Sequence, residues 1–280
     1  MMSGVLVIVA TPIGNLGDLT PRALEMLQSA DVVYCEDTRR TRTLYSAHGL
    51  KVAHLVALHE HNEMSQIGEI IERITHGETV ALVSDAGTPG ISDPGSRVVA
   101  AVVEAGLNVT TTPGVSAVIA ALGLSGLPTD RFVMEGFVPR KGAERAAWLD
   151  AWDSEQRTIV FYESPKRIAA TMNELASRWP ARPVAIVREL TKFHEEVLRG
   201  TAAELSASLA HGEMQGEITV VMAGAAAPAP VGEDVVIDAI DDALADGATV
   251  RDVATQVSAA LGVPHRFVYG LALQRRTAKP

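Results

Sequence analysis

Five short strand-like segments, each followed by a loop and a helical pattern, most strongly constrain how the first half of this chain can fold. They are rich in β-branched residues and read VLVIVA, DVVYC, HLVAL, TVALVS and NVTTT. Alternation of strands and helices predicts a parallel sheet with crossover helices. Such sheets bind their ligands outside the carboxyl ends of the strands, so the loops after these segments are where we expect a site.

The loops after the five strands are rich in glycine, proline and aspartate. They read ATPIGNLGDLT, CEDTRRTR, LHEHNE, SDAGTPGISDPG and TTPGVSA. The fourth is longer than a plain strand-to-helix connection of about 2–6 residues. Glycine lets the backbone approach a ligand and proline stiffens the free loop, so main-chain groups are offered for binding. The loops contain no lysine, and Asp85 and Asp93 disfavour a phosphate, which favours a small polar ligand that is uncharged, zwitterionic or cationic.

Several common site motifs are absent from the sequence. It contains no G-x-x-x-x-G-K-[ST] and no G-x-G-x-x-G after the first strand, which argues against Walker-type ATP use and standard dinucleotide binding. His59 and His61 lack the spacing of a helical zinc site, and the single cysteine, Cys35, excludes a multi-cysteine one, so no metal is expected. Ser116 lacks the G-x-S-x-G context of a nucleophile and is expected near a helix start.

A different pattern begins near Pro139. A charged helix, RKGAERAAWLDAW, precedes the strand RTIVFYE and the helix PKRIAATMNELASRW. RPVAIVREL, EEVLRGT and GEITVVMAG are predicted to be neighbouring strands, with the helix AAELSASLAHG before the last. After a linker, AAAPAP, the remaining residues predict a small helical unit. We therefore expect a parallel α/β domain at 1–138, a mixed-sheet α/β domain at 139–225 and a helical unit at 232–280.

The charge of the chain limits how it could use nucleic acid. A net charge of −10 argues against a protein that coats nucleic acid non-specifically. Basic clusters remain at 39–42, 140–145 and 166–167. The apolar run GVLVIVA is too short to span a bilayer and has no basic flank or cleavage site. With its single cysteine, the chain is expected to be cytoplasmic and not membrane-bound.

Several longer motifs resemble one known family. They run in order from about Val5 to Gly224 and read VATPIGNLGDLTPRAL, CEDTRRTR, SDAGTPGISDPG, PGVSA, FYESPKR and GEITVVMAG. The set resembles the ribosomal RNA 2'-O-methyltransferases that modify a decoding-centre cytidine of the small subunit. These belong to the tetrapyrrole methylase-like (class III) S-adenosylmethionine superfamily, and HRFVYGLAL also resembles their tail. The resemblance implies two α/β domains of the tetrapyrrole methylase type, a donor-binding cleft between them, a small C-terminal helical unit and a homodimer.

The resemblance also implies S-adenosylmethionine as the cofactor, held mainly by the loops after the first, fourth and fifth strands. Residues of the second domain are expected on the adenine side, including 217–223. The loop TPIGNLGDLT lacks the G-x-G-D-P form of the wider superfamily, which counts against a tetrapyrrole substrate. The implied donor contacts are Pro12, Asp85, Gly87, Thr88, Pro89, Ile91, Ser116, Ala117, Tyr162, Leu190 and Ala223.

The activity implied is 2'-O-methylation of a cytidine ribose in 16S ribosomal RNA of the small subunit. A ribose hydroxyl is a poor nucleophile at neutral pH, so a base should orient and deprotonate it. Glu60 is the predicted base, His59 the next choice, and Asp37 and Glu163 are further candidates. The flanking RNA phosphates are expected at Arg39, Arg40, Lys141, Lys166 and Arg167.

Two other readings stay open at this point. The first is a methylase of the same fold that acts on a tetrapyrrole or a modified protein side chain. The second is a non-enzymatic protein that binds a nucleotide in the same cleft. A tetrapyrrole requires an apolar trough with aromatic walls, and aromatic residues make up only 4% of the chain. The basic loops CEDTRRTR and YESPKR favour RNA.

Overall fold

The computed structural model describes residues 4–51, 54–210, 214–226 and 231–278. Its internal contacts divide the chain into two units, residues 1–225 and 226–280. The first unit holds two five-stranded sheets. No helix among the residues just given is long and apolar enough to cross a membrane.

The first sheet is parallel throughout and has the strand order β3-β2-β4-β1-β5. Its strands and the five helices that follow them lie where the sequence predicts them. The strands are β1 Val5–Val9, β2 Val32–Cys35, β3 His54–Ala57, β4 Thr79–Val83 and β5 Asn108–Thr112. The helices are α1 Pro21–Ser29, α2 Thr38–Ala47, α3 Glu63–Thr75, α4 Ser96–Glu104 and α5 Ala117–Ser125.

Helix α1 shows how local chemistry sets these boundaries. The hydroxyl of Thr20 accepts a hydrogen bond from the N–H of Ala23 at 3.2 Å, and Pro21 occupies the first turn, where its missing N–H costs nothing. Ala23 and Leu27 point into the core on one face of the sheet. The apolar face of the helix and the buried strands thus stabilise each other.

The second sheet is mixed, as the sequence predicts, with the order β6-β7-β10-β8-β9. Strands β6 and β7 are parallel, and the other neighbours are antiparallel. Its strands are β6 Phe132–Phe137, β7 Thr158–Glu163, β8 Pro183–Arg188, β9 Glu196–Thr201 and β10 Ile218–Met222. Its helices are α6 Gly142–Asp150, α7 Ile168–Arg178 and α8 Ala202–Leu209.

Strand β6 corrects the expected position of the domain change. It lies inside the stretch assigned to the first domain, 1–138, yet it pairs with β7 in the second sheet. The change of sheet therefore comes before Phe132 and not near Pro139. The residues of β6 are at most half-buried and its register shifts after Met134, so it lacks the regular apolar pattern that marks the other strands.

Helix α5 connects the two halves of the first unit. Val118, Ala121 and Leu122 pack with Val160 and Val187 of the second sheet. This contact brings the carboxyl edge of the first sheet against strands of the second sheet. The position of the site follows from this packing.

The second unit is the small helical unit that the sequence predicts. It consists of α9 Glu233–Ala245, α10 Val250–Leu261 and α11 His265–Ala278. Val236, Ile240, Val253 and Val268 form its own core. Most of the predicted linker, residues 227–230, lies outside the described residues.

Candidate active site

The loops after β1 and β4 are tied together at the carboxyl edge of the first sheet. The N–H of Thr11 donates to the carbonyl of Gly87 at 2.9 Å, and the N–H of Gly87 donates back at 3.0 Å. The hydroxyl of Thr11 donates to the carbonyl of Ser84 at 3.1 Å. Because β1 and β4 are parallel neighbours, their loops start side by side, and these bonds hold them in one arrangement.

The long loop after β4 has a conformation that few residues tolerate. Gly87 has a φ of +84° and Ser92 a φ of +61°, both in the left-handed region. The hydroxyl of Thr88 also anchors the loop to the carbonyl of Val115, at 3.2 Å, in the segment after β5. Non-glycine residues with such angles are strained and concentrate at ligand sites.

A buried carboxylate fixes the far end of this loop. Glu63, the first residue of α3, is only 3% exposed. Its Oε1 accepts hydrogen bonds from the N–H groups of Gly95, Arg97 and Val98 at 3.0, 3.2 and 3.4 Å. Glu63 thereby places a negative charge at the N-terminus of α4, a favourable position. No local sequence signal indicates this role, because the partners lie more than thirty residues away along the chain.

The loops and the second sheet enclose a cavity of about 370 Å³, which we call the central cavity. Its wall includes Phe137, Glu217 and Ile218 from the second half of the first unit. Seven of the donor contacts expected from the resemblance line it, namely Asp85, Gly87, Thr88, Ile91, Ser116, Ala117 and Tyr162. Ser116 is also the N-cap position of α5, so it lies near a helix start as expected.

The other four expected donor contacts lie outside the wall of the central cavity. Pro12 lines a neighbouring cavity. Leu190 is buried in the core that α5 forms with the second sheet. Ala223 follows the end of β10, whereas the cavity meets the start of that strand at Ile218. Pro89 does not line either cavity.

Carboxylates shape the electrostatics of the central cavity. Asp85, Asp93, Glu163 and Glu217 all line it. Burial, with the charge of Glu36 adding to it, raises the pKa of Asp93 to about 6. Burial also raises the pKa of Glu36, and the charge of Asp85 adds to that shift. The wall therefore holds negative charges that repel one another, and a bound cation would reduce this repulsion.

Asp85 is held in place by two groups at the start of α2. Its Oδ1 accepts a hydrogen bond from the N–H of Asp37 at 3.0 Å. Its Oδ2 lies 3.4 Å from Nε of Arg40. The carboxylate of Asp85 is thus oriented by the start of α2, and Asp85 lines both cavities.

The residues predicted as bases are placed differently from expectation. Glu60 is exposed, and neither Glu60 nor His59 lines a cavity. Asp37 caps α2 and pairs with Arg39, and the hydrogen bonds from Arg39 lower the pKa of Asp37 to about 2. Glu163 is among the residues of the central cavity wall, but its side chain is fully buried and other groups already engage its carboxylate.

Those groups come from the start of α7. Thr171 donates its hydroxyl to Glu163 at 2.6 Å, and a guanidinium nitrogen of Arg167 lies 2.6 Å from the same carboxylate. Arg167 also donates to the carbonyl of Val138 and the hydroxyl of Ser164. The guanidinium of Arg167 is therefore occupied by partners within the protein, which disfavours a role in binding an RNA phosphate.

The remaining predicted RNA contacts lie on the surface. The side chains of Arg39 and Arg40 are 86% and 66% exposed. Lys141, at the start of α6, and Lys166, before α7, are also exposed. All four are accessible to a large anionic partner, although Arg39 pairs with Asp37 and Arg40 with Asp85.

The second cavity, of about 350 Å³, adjoins the first, and we call it the side cavity. The two share Ile13, Asp85, Ala86 and Glu217 in their walls. Arg40 and Lys192 line the side cavity only. Sequence analysis did not select Lys192, because it lies in a short connection between two predicted strands.

Comparison with known proteins places the chain in a family. The model of the family described as Tetrapyrrole (Corrin/Porphyrin) Methylases matches residues 5–206. The "Ribosomal RNA small subunit methyltransferase I" of Mycobacterium tuberculosis is 48% identical over 279 residues, covering 99% of this chain and 97% of the relative. The protein of the same name from Synechocystis sp. is 42% identical, covering 97% of this chain and 98% of the relative.

Solved structures share the fold at low sequence identity. Diphthine synthase superposes with a TM-score of 0.60 and 17% identity, covering 79% of this chain and 90% of its own. Uroporphyrin-III-C-methyltransferase from Thermus thermophilus gives a TM-score of 0.54 and 21% identity, covering 78% and 94%. The chain therefore belongs to the tetrapyrrole methylase family and, within it, to the ribosomal RNA small subunit methyltransferase I family.

Proposed function

We propose that this protein transfers a methyl group from S-adenosylmethionine to the 2'-hydroxyl of a cytidine in 16S ribosomal RNA of the small subunit. The observation that carries the proposal is the central cavity, which is lined by backbone of the loops and by carboxylates. The chain that holds this cavity is 48% identical to a ribosomal RNA small subunit methyltransferase over nearly its whole length. The cytidine, the ribose oxygen and the donor are all part of the proposal.

The residues of the central cavity fit a donor of this kind. Its volume of about 370 Å³ falls within the range of small-molecule sites, roughly 300–1,000 Å³. Asp85, Asp93 and Glu217 suit a sulfonium and an amino group, and they would repel a phosphate. Thr88, Ser116 and the backbone at Gly87 offer hydrogen-bonding groups for a ribose and a carboxylate.

When bound, the donor supplies an activated methyl group whose departure leaves a neutral sulfur. The protein's share of the work is then to position the two reactants and to accept a proton. Asp85 is the best-placed acceptor, because this residue lines both cavities and its carboxylate is oriented by Asp37 and Arg40. The predicted bases Glu60 and His59 gain no support from their positions outside both cavities.

The RNA side of the proposal rests on the exposed cations. Arg39, Arg40, Lys141 and Lys166 would hold phosphates that flank the target nucleotide. The small subunit as substrate, a homodimer as the working form and a cytoplasmic location all belong to this proposal.

The test is incorporation of labelled methyl groups from S-adenosylmethionine. Small ribosomal subunits that lack the modification, free 16S ribosomal RNA and a porphyrin are offered separately. We expect label in the small subunits, and nuclease digestion should release it as 2'-O-methylcytidine. Label on a base would refute the ribose assignment, and label in the porphyrin alone would make the protein a small-molecule methylase of the same fold.

A further inference from the structure

An aromatic side chain stands in solvent next to a residue of the side cavity. Phe193 is 97% exposed, more than any other large apolar side chain that the structure describes. Its ring meets that of His194 edge to face, with centroids 5.0 Å apart. Single exposed apolar residues are common on proteins, so what matters is how this one is held and what lies beside it.

The connection between β8 and β9 holds Phe193 in this exposed position. Glu189 and Thr191 have φ angles of 51° and 63°, in the left-handed region that non-glycine residues rarely adopt. The ammonium of Lys192 lies 2.8 Å from Glu189 and 3.1 Å from Glu217. The strained backbone and the ion pairs of Lys192 restrict the conformation of this connection. They thereby keep the ring of Phe193 in solvent.

The neighbours of the ring are suited to RNA. Lys192, which precedes Phe193, lines the side cavity, and so does the 66% exposed Arg40. The side cavity meets the central cavity along a wall that includes Asp85. A ribose in the side cavity would thus face both a carboxylate and the donor, with Arg40 able to pair with a phosphate.

We infer that the target nucleotide enters the side cavity and that the ring pair of Phe193 and His194 stacks on an adjacent unpaired base. The inference rests on the proposed function and names its acceptor site. Unpaired RNA bases stack on aromatic side chains, and enzymes that modify a nucleotide commonly take it out of the helix. A second copy of the chain could also cover the ring, but it would give no role to the side cavity beside it, whose wall holds Arg40, Lys192, Asp85 and Glu217.

The first experiment fills the side cavity alone. Thr43 lines this cavity and not the central one, and its hydroxyl donates to a carbonyl of its own helix. Thr43→Trp should abolish methyl transfer to small subunits while calorimetry still shows S-adenosylmethionine binding. Ser46→Trp, on an exposed position of the same helix outside both cavities, is the control and should keep both properties. Thr43→Leu repeats the test with a smaller side chain.

The second experiment addresses the ring. Phe193→Ala should raise the KM for small subunits about tenfold, the usual loss for one stacked base, with kcat and donor affinity unchanged. Phe193→Trp should restore the KM.

Each outcome separates the inference from the proposed function. Full activity of Thr43→Trp, or loss of donor binding along with activity, would remove the side cavity as a separate acceptor site. An unchanged KM in Phe193→Ala would remove the stacking role. Dissociation of the Phe193→Ala dimer in sedimentation would also remove it, because the ring would then be covered by a second copy of the chain. If the unaltered protein transfers no methyl group to RNA, the proposed function falls, and the acceptor site falls with it.

Discussion

The buried carboxylate of Glu63 offers the sharpest test of how the site is built. Glu63→Gln keeps an oxygen that the N–H groups of Gly95, Arg97 and Val98 can reach, but it removes the negative charge. Hydrogen bonds to a charged acceptor contribute roughly 1.5–3 kcal/mol, against about 1 kcal/mol for neutral ones, and a partly buried charge at a helix terminus is worth up to ~2 kcal/mol. These effects overlap, so we expect the free energy of unfolding to fall by about 2 kcal/mol.

Guanidinium denaturation measures this loss. With a slope of about 5 kcal/mol per M, the midpoint should fall by roughly 0.4 M. Because Glu63 anchors the end of the loop that lines the central cavity, the affinity for S-adenosylmethionine should also weaken. Glu60→Gln, an exposed carboxylate three residues earlier, is the matched control and should unfold like the unaltered protein. A Glu63→Gln variant as stable as this control would refute the reasoning.

Three further predictions concern the carboxylates. Glu60→Gln should leave kcat unchanged because Glu60 lines neither cavity, whereas a loss of about 100-fold or more would restore it as the base. Asp85→Asn should lower kcat about 100-fold in methyl-transfer assays while circular dichroism shows an intact fold, and a kcat within a few-fold of normal would exclude Asp85 as proton acceptor. Burial raises the pKa of Asp93 to about 6, so this carboxylate becomes neutral as the pH falls below that value. If a bound cation returns the pKa to the ordinary ~4, calorimetry should show donor affinity level above pH 7 and falling about tenfold per unit from about pH 6 to about pH 4, and Asp93→Asn should flatten that dependence.

The sequence predicts much of this fold because its signals are local. The parallel sheet follows from apolar strands that alternate with helices, and Thr20 followed by Pro21 is a local signal for the start of α1. The loops at the carboxyl edge are likewise predictable, since parallel strands must end on one side. Most of the expected donor contacts on the loop after β4 do line the central cavity for this reason.

Long-range contacts explain what the sequence could not predict. The pairing of β6 with the second sheet depends on how the chain crosses from α5, and nothing in its residues reveals that crossing. Glu63 and Glu60 are indistinguishable in LHEHNE, yet the turn of α3 buries the first and exposes the second. The motif FYESPKR predicts that Arg167 contacts RNA, but in the structure Arg167 forms an ion pair with Glu163, which the sequence does not reveal.

The placement of charge at the site is compatible with the proposed action of an acidic protein on RNA. Asp85 and Asp93 place carboxylates in the wall of the central cavity, and Glu217 lies at its exposed side. The cations that can meet phosphates, such as Arg39 and Arg40, lie on the exposed surface near it. The interior thus favours a cationic donor over a phosphate, while the surface offers only a few attachment points. So few contacts cannot hold flexible RNA against a net charge of −10 by electrostatics alone. Under the proposed function, we therefore expect recognition to depend on the shape of a folded target, so that the assembled small subunit is methylated faster than free RNA.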